Sequence, residues 1–319
     1  MTELRQERYI NPYTDFGFKR LFGTEMNKDL LISFLNSLFA GKNLDITDVQ
    51  YLNGEQLGDG YGDRRAVFDV YCLTSDGSRF IVEMQKAEQA YFKDRSIYYS
   101  TFAIREQAPK GSWDYRLENV YTVGLLNFTL NEYPDDSYIH EIKLKDVLDN
   151  RVFYDKLTLM YLEMPKFRKR EDELETMMDK WMFVLHNLSR LMERPAALQE
   201  RVFKKLFEQA EIARYSESER RQYEESRKDM WDYFSTMKTA KDKGIKEGLE
   251  KGRAEGLAEG MEKGLAEGME KGLAEGMAEG ERKKGFAIAL NLKQMGLAIS
   301  DIAKVTGLSV EDIEALHSS

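Results

Sequence analysis

Two apolar segments, AVFDVYCL at 66–73 and RFIVEMQ at 79–85, are separated by the five residues TSDGS. Strand side chains alternate between two faces, so the pairing register decides which of these residues meet the core. A three-residue loop, Ser75-Asp76-Gly77, places glycine where such loops need a left-handed residue. Thr74 then pairs with Ser78, and Asp69 lies opposite Glu83, Val67 opposite Gln85 and Tyr71 opposite Ile81. One face carries Phe68, Val70, Cys72, Phe80, Val82 and Met84. The other carries Asp69, Glu83 and Gln85, with Val67, Tyr71 and Ile81 around them. A two-residue Asp-Gly loop sends Asp69 to the apolar face against Met84, where an unpaired carboxylate is costly. The hydrophobic pattern selects the first register.

Directly opposed carboxylates repel, so this register calls for a positive charge. A divalent cation fits, because Mg²⁺ takes oxygen ligands and commonly uses one or two carboxylates with water and phosphate. The alternative is a structural network neutralised by Arg64, Arg65 or Arg95.

The elements around this hairpin suggest an α/β order. Residues 25–39 space Leu30, Leu31, Phe34, Leu35 and Leu38 for one helical face. ITDVQYL reads as a strand ahead of the hairpin. Residues 88–107 read as a helix, with Tyr91, Arg95, Tyr98, Tyr99 and Phe102 on a broad face. NVYTVGLLNFTL at 119–130 is a near-continuous apolar run, expected of a strand buried on both sides and often parallel. The order is helix, three strands, helix, strand. YIHEIKL and LTLMYLEM add two strands. From about 171 to 240 the pattern is helical and charged, broken once at Pro195. Trp113, Trp181 and Trp231 read as packing residues.

Glycine recurs at every fourth position from Gly244 to Gly280, with MEKGLAEG twice in tandem. Glu, Lys, Ala and Leu favour a helix, while each glycine costs roughly 1 kcal/mol against alanine. A four-residue period drifts about 40° per repeat on a 3.6-residue turn, so no glycine face persists. A solvated helical spacer is the simpler reading; a close-packed helix pair through the small residues is the alternative. The last 35 residues read as three short helices, with Ser300 and Ser309 as N-caps and Gly296 and Gly307 as stops. They have a helix-turn-helix shape, but Glu311, Asp312 and Glu314 on the last helix oppose phosphate contact. Docking or dimerisation suits this tail better than base reading.

Composition narrows the function. The net charge is −9, so any nucleic-acid contact is local. One cysteine, Cys72, forms no intrachain disulfide, which favours a reducing cytoplasmic compartment. No signal segment or membrane-length apolar run is found. His140, His186 and His317 are scattered, and no Cys/His cluster suggests zinc.

Asp69 followed by Glu83-x-Gln85 on the next strand, within this element order, resembles the PD-(D/E)XK nuclease fold. More narrowly, TDFGFKRLFG near the start, FDVYCLTSDGSRFIVEMQ, YLEMPKF at 161–167 and the EGLEKG-type tail resemble the Rpn group of recombination-promoting nucleases and transposases. The resemblance implies an αβββαβ core with a mixed central sheet over residues 1–165. A helical extension (166–240), a glycine-periodic spacer (241–284) and a small helix-turn-helix-like unit (285–319) follow it. It implies Mg²⁺-dependent cleavage of DNA phosphodiesters in recombination or mobile-element biology, with Asp69 and Glu83 holding the metal. The third catalytic position, lysine in much of the wider fold, is Gln85; an amide orients water but brings no charge. Lys86 is expected on the opposite face, and Lys19 is the candidate for the missing cation. Asp15 and Lys19 belong to the matching N-terminal motif, although Asp15 also reads as a helix cap. Arg95 and Tyr99 are auxiliary or DNA-contacting candidates. Homo-oligomers are expected through the C-terminal helices. The competing reading is a weakly active or inactive nuclease fold kept as a DNA- or protein-binding module.

Overall fold

The helix ahead of the sheet, α1 (Asp15–Phe22), begins at a threonine cap: Thr14 Oγ1 accepts the Gly17 N–H at 3.0 Å. Thr14 therefore takes the capping role expected of Asp15, which becomes the first helical residue. The computed structural model describes residues 7–42, 44–56, 66–109 and 111–316. Arg64, Arg65 and His317 lie outside these residues. Helix α2 (Lys28–Leu38) buries the five apolar positions that its spacing marks out. Strands β1 (Val49–Tyr51), β2 (Glu55–Gln56), β3 (Ala66–Val67), β4 (Val70–Thr74) and β5 (Arg79–Gln85) follow. After them come α3 (Phe92–Arg105), β6 (Val120–Leu126), β7 (Ile139–Lys145) and β8 (Val152–Glu163).

The hairpin adopts the register selected by its hydrophobic pattern. Val70 pairs with Val82, Tyr71 with Ile81 and Cys72 with Phe80. Thr74 N–H donates to the Ser78 carbonyl at 2.9 Å, and Gly77 takes φ 84°, the left-handed value its loop requires. The Asp76 carboxylate locks the turn by accepting from the Thr74 hydroxyl and from the Ser78 N–H and hydroxyl.

The six-stranded sheet runs β1-β4-β5-β6-β8-β7. β6 lies between β5 and β8 and is parallel to both, as a doubly buried apolar run should be. The remaining pairs are antiparallel, so the sheet is mixed. Phe80, Val82 and Met84 join the main core, where Phe22, Phe34 and Phe203 surround the fully buried Trp181. On the other face, Tyr71 and Ile81 pack with Phe102 and Ala103 of α3. Phe68 belongs to this second cluster, not to the face expected for it. The chain bends at 68–69, between β3 and β4, and the alternation that put Phe68 beside Val70 stops there.

Helix α3 starts four residues later than expected. Tyr91 precedes it in a left-handed conformation, 81% exposed, rather than on a shared face. Helices α4 (Met177–Asn187), α5 (Arg201–Ala210) and α6 (Glu217–Gln294) follow. Two interruptions separate them, at 188–200 and 211–216, in place of the one break expected at Pro195. Of the three tryptophans only Trp181 is core; Trp231 is half exposed under Arg227, and the Trp113 ring lies tilted against Tyr115.

The described chain forms two compact units divided after Phe234. In the first, the opening turns of α6 are fastened to the N-terminal segment. Tyr223 is buried; its hydroxyl donates to Glu7 and accepts the Asn11 N–H, and Ser226 Oγ accepts the Phe16 N–H. In the second, the glycine-periodic stretch is helical and exposed throughout, and a Cβ built on any of Gly244 to Gly280 meets nothing within 4 Å. Helices α7 (Ile299–Thr306) and α8 (Val310–Glu314) close a small core of Ala289, Ile302 and Ile313. Gly296 and Gly307 have positive φ and Ser309 caps α8, as expected. Ala298, not Ser300, precedes α7 as its N-cap. Among the described residues no helix is long and apolar enough to cross a membrane.

Candidate active site

β5 ends as it enters the site, because Glu83 and Gln85 point to the α3 side while Val82 and Met84 remain in the main core. The bend at Asp69 lets its carboxylate replace a strand acceptor: Oδ2 takes the Met84 N–H at 2.8 Å. In return, Glu83 Oε1 accepts the Asp69 N–H at 3.2 Å. The two acids thus clasp each other's backbone across the hairpin. Gln85 Nε2 donates to Glu83 Oε2 at 3.1 Å, and Gln85 Oε1 accepts from Arg95 on α3. Arg95 also donates to Gln89, and its guanidinium lies 5.8 Å from the Tyr99 ring centre. Tyr99 packs edge-on against Phe68 at 5.2 Å.

These groups line a cavity of about 360 Å³. Glu83 and Gln85 come from β5, Asp69 from the bend before β4, Asp15 from α1, and Arg95 and Tyr99 from α3. Lys19 lines an adjoining cavity that shares Asp15 and Asp69 with the first. All seven expected residues therefore gather at one place. Lys19 Nζ sits 2.9 Å from Asp15, so its charge is first matched there. Lys86 also lines the cavity, contrary to strand alternation, because β5 ends at Gln85.

Burial pushes the Glu83 carboxyl up to about 8, and the nearby Asp69 charge adds to the shift. Burial likewise raises Asp69, against the opposing pull of the Met84 N–H. Burial also raises Tyr99. Arg95 hydrogen-bonds Gln85 rather than either acid, and its positive charge acts on Glu83 through space, against the upward pull of burial.

Two features of this region have no role in the sequence reading. Asp229 and Tyr233, on the first-unit part of α6, complete the cavity wall. Their stretch, RKDMWDYF, reads only as charged helix. The second feature is Glu163, wholly buried at the end of β8 within the YLEMPKF segment. Its carboxylate meets His140 Nε2 at 2.5 Å and Lys166 Nζ at 3.1 Å and accepts the Leu130 N–H at 2.9 Å. Lys166 also donates to the Tyr133 and Ser137 carbonyls, so the cluster ties down the loop between β6 and β7.

The family model described as PD-(D/E)XK nuclease family transposase matches residues 12–240, most of the chain. The chain belongs to this family. No curated protein and no solved structure gives a significant match. Membership in the PD-(D/E)XK nuclease transposases gives the functional class, a nuclease- or transposase-related protein, and its fold agrees with the mixed sheet flanked by helices. In this PD-(D/E)XK chain, the donor set of Asp69 and Glu83 is all carboxylate oxygen, the chemistry a hard divalent cation prefers. Among the described residues no three acidic, His or Cys side chains converge in metal-holding geometry. Two carboxylates are the number that Mg²⁺ commonly takes from a protein, with water and phosphate completing its coordination.

Proposed function

We propose that the protein is a Mg²⁺-dependent DNA endonuclease acting in recombination or mobile-element biology. The observation that carries this reading is the clasped, buried pair Asp69 and Glu83 at the wall of a cavity, in a chain of the PD-(D/E)XK nuclease transposase family. Asp69 and Glu83 would hold the metal. Bound there, a divalent cation would polarise the scissile phosphate and lower the pKa of the attacking water. Water adds to phosphorus, one P–O ester bond breaks, and the departing oxygen takes a proton. Gln85 points an N–H toward the Glu83 carboxylate and can orient that water. Lys19 and Tyr99 stand at the cavity walls for phosphate contact, with Asp15 positioning Lys19. The net charge of −9 agrees with local rather than broad DNA contact. The compartment is the cytoplasm, and the second unit serves as spacer and homo-oligomer contact.

The test is plasmid nicking by the full chain with Mg²⁺ or with a chelator, beside Glu83→Ala. Cutting is expected only with wild type and metal, while circular dichroism finds both proteins folded. Equal cutting by the folded variant would sink the assignment. A second reading, a binding module, is favoured by the amide at position 85, which brings no charge to the reaction. It predicts metal-independent DNA binding and no cleavage.

A further inference from the structure

Arginine has only N–H donors to offer, so the end of Gln85 that faces Arg95 must be its oxygen. This settles the other end: Nε2 faces Glu83 Oε2 at 3.1 Å, with a second N–H to spare. An unheld glutamine could present either end to the acids, and its oxygen toward Glu83 would repel. The guanidinium is itself held on three sides. Gln89 accepts from it, Gln85 accepts from it, and the Tyr99 ring lies beside it, four residues along α3 and braced by Phe68. By contrast, Lys19 is spent on Asp15 in a half-exposed pair.

We propose that Gln85 and Arg95 together do the work of the single lysine found at this position in the wider fold. Gln85 supplies the donor that faces the acids and the reacting water. Arg95 supplies the charge from one residue behind and fixes which end of the amide faces forward. Arg95 is thus a positioning residue. This assignment rests on the nuclease reading above and deepens it.

The test is a double-mutant cycle on the full chain, using plasmid nicking with Mg²⁺. Arg95→Ala is expected to lower kcat about 100-fold, the scale of losing one aimed donor, with KM changed less than about threefold. In the Gln85→Lys background the same change should cost under about threefold, because lysine carries donor and charge together. Equal losses in both backgrounds overturn the proposal. So does a loss confined to KM with a shallower salt dependence, the mark of a phosphate contact. Two readings do not depend on cutting. Mg²⁺ binding without DNA, followed by calorimetry, should stay equal or tighten in Arg95→Ala, since a cation leaves the neighbourhood of Glu83; weaker binding counts against the proposal. With ¹⁵N-glutamine labelling, the Gln85 side-chain NH₂ signals, identified by their loss in Gln85→Lys, should be distinct in wild type and merge with solvent-exposed amides in Arg95→Ala. Unchanged signals overturn the orienting role. A wild type that binds Mg²⁺ and has the ordered amide but cuts nothing overturns the nuclease reading and leaves the Gln85–Arg95 arrangement standing.

Discussion

Replacing Asp69 with asparagine should stabilise the protein while abolishing cleavage. The introduced side chain keeps an oxygen for the Met84 N–H, which the Asp69 carboxylate accepts through Oδ2 at 2.8 Å, and turns an amide toward Glu83. The substitution therefore removes the repulsion without orphaning the backbone. Two charges about 5 Å apart at an effective dielectric of about 20 repel by about 3 kcal/mol. The raised carboxyls set the pH dependence. Glu83 stands near 8 and Asp69 is raised, so the folded pair keeps protons that the unfolded chain releases. Such a pair contributes stability that is fully present below about pH 4, the unfolded range, and is lost as pH rises through about 8. In chelator, Asp69→Asn should gain about 2–3 kcal/mol over wild type at pH 9, with the gain shrinking toward pH 6. Urea unfolding followed by tryptophan fluorescence measures it, since Trp181 is buried in the main core. Mg²⁺ at 100 times its Kd should restore about 2.7 kcal/mol to wild type and much less to the variant. An Asp69→Asn protein less stable than wild type at pH 9, or a difference that stays constant down to pH 6, would refute the clasped-pair reasoning.

Glu163→Ala should destabilise by about 3–5 kcal/mol in urea, because it leaves Lys166, His140 and the Leu130 N–H without their shared buried partner. Gly77→Ala should cost about 1–2 kcal/mol by the same measurement, as φ 84° is left-handed and a Cβ there lies 3.2 Å from Glu118 Cγ. Amides in the glycine-periodic stretch should exchange with solvent far faster than those of β5 and β6, since each glycine weakens the helix by roughly 1 kcal/mol and each i,i+4 Lys–Glu pair returns only about 0.3–0.5. Slow exchange there would mean that a second chain covers the stretch.

The hairpin was legible because two independent signals agreed. Gly77 fixed the loop length, and the apolar alternation rejected the competing register. β6 was legible because a strand covered on both faces has no polar positions to give. Legibility failed wherever regular structure ended. Phe68 changed face at the bend before β4, Lys86 joined the cavity one residue past β5, and Asp15 lost the cap to Thr14. Alternation is a property of continuous strand, and these residues stand beside its ends. Asp229 and Tyr233 carried no signal at all, because a charged helix reads the same whether it faces solvent or a cavity.

Gln85 marks the deeper limit. Read as one position in a motif, it is a lysine lost, and the site looks short of charge. Yet the requirement at that position is a donor aimed at the acids with positive charge behind it, and no rule confines both to one side chain. A lysine carries them on a flexible stem whose entropy must be frozen. Here a short amide is fixed by its neighbours, and the charge rides on a rigid helix that Tyr99 and Phe68 brace. On the proposed assignment α3 is part of the active site, and a change at Arg95, Tyr99 or Gln89 should disturb the amide of Gln85, although ten or more residues of chain separate most of them from the strand motif. Whether such a chain cuts DNA therefore turns on the pair Gln85 and Arg95, and a motif that counts only the strand residues undercounts the charge.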